Sequence, residues 1–479
     1  MSSLLSTILT SAGALKAYDQ VFQVSQNNVA NAQTPGYAKQ QQPLEALPFD
    51  PATGLSGGVW AGQVQSARDE FAEQAVRRQT VAYGQYQQQV NSLNSLQSVF
   101  DISGNSGISK SLNDFFQAFS GWSTTPNDSV ARQTVLDRAT DLAQSFQQTS
   151  AALDQVTEDT ETQIQQTVDQ VNGLVSQLQG LNVQIRQGDR NDAGLDAQMH
   201  STLEQLSQLV NVSAIQQQDG SFTVLLNGQT ALLVGSNQYK ISFDLKQPTD
   251  PPPVNPGGPA NAQIVAADGS DVTAQTTTGQ LGALLDMRNR LLPTYIGDAY
   301  QPGDINQMAK QFADRVNQLL TSGNISDGPP PQPGVPLFTY DSTNNTTVAQ
   351  TLAVNPAITA DQLAAISPGP PYVSNGVALQ LSQMANPQNT ADEIDNFSYT
   401  EFYGQMATRV GSELNTAQSG LQGQQQMVAQ AQNLRQQVSG VSLDEEAATL
   451  IEFQRAYQAN SRFITVLDQL TEDTLNILQ

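Results

Sequence analysis

The chain has 479 residues, with 44 acidic side chains against 20 Lys plus Arg, a formal charge of −24, no cysteine and a single histidine, His200. That length accommodates two or three domains. The acidic balance is the wrong sign for gripping a nucleic-acid backbone or an anionic membrane surface, and the lack of cysteine with only one histidine leaves almost no room for thiolate chemistry, disulfides, zinc centres or a His-based acid/base pair. No cofactor or metal is expected.

At the N-terminus Leu4, Ile8, Ser11, Leu15, Tyr18, Phe22, Ser25 and Val29 alternate spacings of four and three, the seam of a helix that packs on other helices. The segment has no basic flank like that of a secretory signal and no run long enough to span a membrane, so any exit from the cell is expected to use another route. NNVANAQTPGY (27–37) follows. Asn27, Asn28 and Asn31 compete for backbone groups and disfavour a helix interior, while Pro35 and Gly36 suit the centres of a type II turn, with Thr34 held extended before the proline. A routine helix terminus explains the stop. It does not explain so many amides, each able to donate and accept, where the seam ends.

Further on, Tyr83, Tyr86, Val90, Leu93 and Phe100 form a heptad row within 68–100, and apolar positions from Leu142 to Ile185 predict long helices over 130–186. GGVWAG (57–62) and SGNSG (103–107) lack a phosphate-binding frame and read as turns. His200 lies in a helical pattern as a solvated or core histidine. From 221 the period changes to two: SFTVLLNGQTALLVG (221–235) predicts a hairpin around Asn227–Gly228, and YKISFDL (239–245) an alternating strand with Tyr239, Ile241, Phe243 and Leu245 on one face. Proline-rich loops at 248–259 and 328–336 flank a helical return over 281–320, and another long helix is expected over 402–434.

The last helix repeats the seam at Leu450, Phe453, Tyr457, Asn460, Ile464, Leu467, Thr471, Thr474 and Leu478, beside a second apolar row at Phe463, Val466, Leu470 and Ile477. Before it, SLDEE (442–446) could be a carboxylate pair for acid/base work, but Ser442 and Glu445 have the spacing of a capping box. The expected fold is mainly α with an inserted β domain: a long helical bundle or coiled coil built from both chain ends plus a small antiparallel β domain. The expected parts are a terminal helical domain (1–40 and 437–479), a helical body (41–210, 281–325 and 395–436) and a β-rich insert (211–280 and 326–394). A two-helix stalk with so few buried apolar side chains is marginal alone and needs other copies around it.

NNVANAQTPGYAKQ resembles the N-terminal signature of the bacterial flagellar rod, hook and hook-associated axial proteins, and SGVSLDEEAATLIEFQRAYQANSRFITVLDQLTEDTLNIL resembles their C-terminal helix. The stretches 111–146, NDAGLDAQM, SQLVNVSAI and GQLGALLDMRNRLL (279–292) resemble the hook-associated members found at the hook–filament junction. Val29 stands where isoleucine is usual and Ala38–Lys39 where Ser-Arg is usual, both mild departures. The short β insert implies that an outermost domain is reduced or missing.

The resemblance implies a structural subunit of the extracellular flagellum at that junction. It would be exported unfolded by the flagellar type III apparatus, with its terminal helices paired and lining the channel of a tube. The partners implied are other copies of the chain, the hook protein, a second junction protein and an export chaperone masking the C-terminal helix. The motif residues Asn27, Asn28, Asn31, Thr34, Pro35, Gly36 and Tyr37 become a joint between inner tube and outer domains. Two competing readings are a secreted coiled-coil adhesin and a wall-cutting glycosidase, the latter requiring convergence of carboxylates such as Asp268, Asp271 and Asp341.

Overall fold

Long uninterrupted apolar periodicity becomes long helices. The structure, a computed structural model, describes residues 2–50, 55–101, 105–188, 192–328 and 330–477. In chain order it runs α1 (Ser2–Asn31), short strands β1 (Gln40–Gln41), β2 (Leu44–Ala46), β3 (Phe49–Asp50), β4 (Leu55–Ser56), β5 (Val59–Ala61) and β6 (Gln65–Ser66), then α2 (Glu70–Gln97), α3 (Gly107–Thr124), α4 (Ser129–Gln187) and α5 (Ala193–Leu209). Strands β7 (Val212–Gln216), β8 (Phe222–Leu226), β9 (Thr230–Val234), β10 (Asn237–Gln238), β11 (Ser242–Lys246) and β12 (Asn261–Val265) precede α6 (Gly279–Asp286), a π-helical segment (Met287–Leu291), α7 (Leu292–Ile296) and α8 (Asp304–Ser322). Short elements follow, and the chain closes with two long helices, Tyr399–Ser439 and Leu443–Ile477, here called αP and αC.

Two compact units emerge, each assembled from separated stretches: 1–83, 171–239 and 424–479 in the first, 84–170 and 240–423 in the second. In the first, β10-β9-β8-β7 form an antiparallel sheet, with the expected tight turn at Asn227 (φ 47°) and Gly228 (φ 72°) between β8 and β9. Phe222, Val224 and Leu226 alternate inward and are buried. Asn182, fully buried near the end of α4, fastens this sheet to the helix: its Nδ2 donates to the carbonyls of Phe222 and Gly235, both at 2.8 Å, and its Oδ1 accepts from the Phe222 N–H at 2.8 Å. This anchoring explains why β7–β10 belong with the unit of the chain ends, whereas composition grouped them with the later strands.

The second unit is centred on aromatic packing. Phe115 of α3 contacts Phe119, Phe312 and Phe338 at centroid separations of 4.8, 5.3 and 6.0 Å, and Phe312 meets Tyr399 edge-on at 5.2 Å. The strand expected over 239–245 differs from its alternation: β11 begins at Ser242 and pairs only with β12, so Ile241 is buried while Tyr239 and Leu245 are 40% and 43% exposed. A ribbon with one neighbour lacks the cover needed to bury a whole face. The predicted return over 281–320 runs without a gap through α6, the π segment and α7, breaks at 297–303 and resumes in α8; in the π segment Asn289 holds Ala262 by both backbone groups at 2.8 Å.

Candidate assembly interface

Both chain ends meet in the first unit. α1 and αC pair antiparallel: Asn460 Nδ2 donates to the Ser11 carbonyl at 2.9 Å, Tyr18 meets Phe453 at a tilt (centroids 5.7 Å) and Phe22 meets Tyr457 edge-on (6.4 Å). At the end of α1 the Ser25 hydroxyl donates to the Glu446 carboxylate, and Asn28 Nδ2 donates to Glu446 Oε1 at 3.2 Å.

The buried face of α1 keeps Ser11 and Ser25 of the expected seam but takes the neighbours Ala17, Val21 and Asn28 in place of Tyr18, Phe22 and Val29. Ser11, Ala17, Val21, Ser25 and Asn28 are buried, whereas Ile8, Leu15, Tyr18 and Phe22 are half-buried and Val29 is 41% exposed. The side chain of Leu4 lies outside the described residues, as does Leu478. The shift at the helix end has a physical cause: Asn28, next to Val29, must reach Glu446, which is 3% exposed, and satisfying a buried carboxylate outweighs burying one more valine. On αC, Leu450, Phe453 and Ile464 are half-buried, Leu467 is buried and Tyr457 is 39% exposed. Beside them Phe463, Val466 and Leu470 stand about half exposed (48, 52 and 49%). The pair thus seals one face and leaves a second apolar row open.

The motif after α1 divides into two kinds of amide. Asn27 and Asn31 serve the helix end: Asn31 Nδ2 donates to the Asn27 carbonyl at 3.0 Å, and Thr34 Oγ1 donates to Asn31 Oδ1 at 3.1 Å. Asn28 turns inward. Its Oδ1 accepts from the Tyr37 hydroxyl at 2.9 Å and the Gln40 N–H at 2.9 Å, while its Nδ2 donates to the Gln40 carbonyl at 2.8 Å. Burial, and next the Glu446 charge, push the Tyr37 hydroxyl up to about 12 and keep it a donor. The Lys39 ammonium bridges to Glu445 at 3.0 Å and Glu446 at 3.4 Å; partial burial opposes its charge, but the two carboxylates outweigh that and raise its pKa.

Thr34, Pro35, Gly36 and Tyr37 form the expected turn, with Tyr37 N–H donating to the Thr34 carbonyl at 3.1 Å and Gly36 at φ 75°. A Cβ on Gly36 would overlap the Ala197 carbonyl. The Gly36 carbonyl accepts from Arg68 Nη2 at 2.6 Å, and Arg68 pairs with Asp196 at 2.7 Å and with Glu73. Arg435 in turn reaches Glu73 at 3.3 Å and Glu204 at 2.7 Å. His200 sits in this cluster, buried, 3.6 Å from Asp196 and edge-on to Phe222 at 5.5 Å. Burial, followed by Arg68, Arg77 and Arg435, holds its pKa well below the usual histidine value, so it is a neutral core residue.

Sequence reasoning misses Arg68, and it reads Glu446 only as part of the acidic SLDEE cluster, not as the acceptor at the seam. Glu446 lies four positions before Leu450 on the same seam, and a charge continuing an apolar row was the available signal. The capping box is half made: Ser442 Oγ accepts from the Glu445 N–H at 3.4 Å, but the Glu445 carboxylate goes to Lys39.

The carboxylates weighed for catalysis are exposed and close local turns. Asp268, Asp271 and Asp341 accept from Ser270, Thr273 and Thr343 two residues on, and for Asp268 and Asp341 those bonds lower the pKa. Among the described residues no group of three or more His, Cys, Asp or Glu is arranged to hold a metal, and no helix is long and apolar enough to cross a membrane.

The model for the flagellar hook-associated protein FlgK helical domain matches residues 93–338, more than half of the chain. The chain belongs to the FlgK family. The end of αP together with αC matches a second model, the C-terminal segment of flagellar basal body rod FlgEFG proteins, over residues 432–477. Flagellar hook-associated protein 1 of Bacillus subtilis is 26% identical, with 99% of each chain aligned, and that of Salmonella typhimurium is 23% identical with the whole of both chains aligned. The latter alignment spans 574 positions, so that FlgK relative carries stretches this chain lacks. The flagellar hook junction protein FlgK of Burkholderia pseudomallei shares the fold at a TM-score of 0.62 and 16% identity, covering 76% of this chain and all of its own.

Proposed function

We propose that this chain is a structural subunit of the bacterial flagellum that joins hook to filament outside the cell, and that it acts by assembling rather than by catalysis. Family membership supports the flagellar role. The observation that carries the mechanism is the terminal pair, which seals its seam with Ser25, Asn28 and Glu446 yet leaves Phe463, Val466 and Leu470 about half exposed. A row of large apolar side chains in register along a helix favours a partner helix.

In this reading residues 1–40 and 437–479 form the assembly core, and copies add head to tail through it after type III export. Before export the same row on αC is the surface for a chaperone, and in the finished structure hook protein and a second junction protein contact the two ends. Leu4, Ile8, Leu15, Tyr18, Phe22 and Val29 on α1, with Leu450, Phe453, Tyr457, Ile464, Leu467 and Leu478 on αC, contribute to pairing within and between copies. The test is complementation of a strain that makes hooks but sheds its filaments. The wild-type chain should restore attached filaments, and a chain with Phe463→Ser, Val466→Ser and Leu470→Ser should not while melting as wild type. Full rescue by the triple variant would overturn the reading.

A further inference from the structure

The sheet of the first unit ends at β7, and its outer edge is open. In the β7–β8 ladder Asn211 and Gln217 bond across to Asn227 and Ser221, so the antiparallel register turns the backbone N–H and C=O groups of Val212, Ala214 and Gln216 away from β8. Beside this edge lies a groove of 390 Å³ whose other wall is α2, through Gln74, Arg77, Arg78 and Val81. Arg77 is tied to Glu70 through Nη2 at 2.6 Å, but its Nη1 is buried without an acceptor. Arg78 is exposed and has no ion-pair partner among the described residues. Open strand edges are rarely left uncovered, and beside this one stand Arg78, with no acid paired to it among the described residues, and an Arg77 whose Nη1 has no acceptor, on a chain of net charge −24.

A complementary edge exists on the same chain. In the β2–β5 ribbon Pro43 and Leu47 bond across to Gly62 and Gly58, which leaves the backbone groups of Leu44 and Ala46 facing outward. Glu45, exposed between them, has no ion-pair partner among the described residues. Near it Leu47, Phe49 and Trp60 are 44, 73 and 48% exposed, against Val81 and a 49%-exposed Ile215 at the groove.

We propose that β2 of a second copy of this chain lies along β7, extending the sheet and setting Glu45 against Arg77 and Arg78. Edge and groove are different surfaces, so the contact is heterologous and repeats from copy to copy instead of closing a dimer. Backbone pairing supplies the strand register, and the acid followed by apolar side chains supplies the choice of partner. The inference rests on the assembly reading above and names one contact within it.

Because the chain has no cysteine, introduced pairs report contacts cleanly. Full-length chains carrying Cys at 44, 45, 46 or 47, each combined with Cys at 213 or 215, are polymerised and oxidised. A ladder of cross-linked copies on a non-reducing gel is expected, strong at alternate positions. Arg78→Glu and Ala214→Pro, the latter removing only an outward N–H, should each cut polymer yield at least tenfold with monomer melting unchanged, and Glu45→Arg should restore the yield of Arg78→Glu. Polymers that form without a ladder, and equally well from both variants, would overturn this contact and leave the assembly reading standing. A wild-type chain that does not polymerise would sink both.

Discussion

Asn28 holds Gln40 by both of its backbone groups, donating to the carbonyl at 2.8 Å and accepting from the N–H at 2.9 Å. The same amide touches Tyr37 and Glu446, so one side chain ties the end of α1 to the strand that follows and to the last helix. Asn28→Ala would orphan several buried polar groups at once, and a loss of about 2–4 kcal/mol is expected in denaturant unfolding. Asn27→Ala, on the exposed side, should stay within about 0.5 kcal/mol. Equal effects would show that the inward amide has no special role.

Gly36 is required by conformation and by space. Its φ of 75° and the Ala197 carbonyl beside it leave no room for a Cβ. Gly36→Ala should cost about 1–3 kcal/mol and loosen the Arg68 contact to the turn, whereas Pro35→Ala should cost under about 1 kcal/mol. Hydrogen exchange at the Tyr37 amide, which bonds across the turn, reads the local loosening directly.

Glu446 receives hydrogen bonds from Ser25 and Asn28 and the charge of Lys39. Glu446→Ala leaves those groups without their acceptor, with an expected loss of about 3 kcal/mol; Glu446→Gln, which keeps one acceptor oxygen, should cost roughly half as much. A glutamine variant as damaged as the alanine one would mean that charge, not hydrogen bonding, dominates.

The lone histidine permits a clean pH experiment. Folding lowers the pKa of His200, so in acid the unfolded chain binds a proton that the native cluster refuses. Stability from this group is complete above the unfolded value near 6.5 and falls as pH drops below it, with a slope of at most ~1.4 kcal/mol per pH unit. Glu73 and Asp196 face the imidazole along with Arg68, Arg77 and Arg435. In His200→Gln the decline between about pH 6.5 and 5 should flatten. An unchanged decline would place its origin elsewhere.

The helices were legible because apolar spacing persists over many turns: Leu142, Phe146, Leu153, Ile164, Val168, Val171 and Val175 are all buried along one 59-residue helix. The turn at Pro35–Gly36 and the hairpin at Asn227–Gly228 were legible because few residues tolerate those backbone angles. What the sequence hid is polar. Asn28, Asn182, Asn289 and Asn317 each bond both backbone groups of a single residue, Gln40, Phe222, Ala262 and Phe338. Such clips are set by three-dimensional placement and carry no periodic signature. For the same reason apolar spacing favours Val29 at the end of α1, where the structure buries Asn28 beside it.

Ser25 and its acceptor Glu446 are separated by 421 positions. Closing so long a loop is slow to find and brings no local reward beforehand. The opening helix therefore cannot latch until the far end of the chain is present, and a fragment clipped short of Glu446 never can. The clasp therefore needs both extremes of the sequence, and truncation at either one removes it.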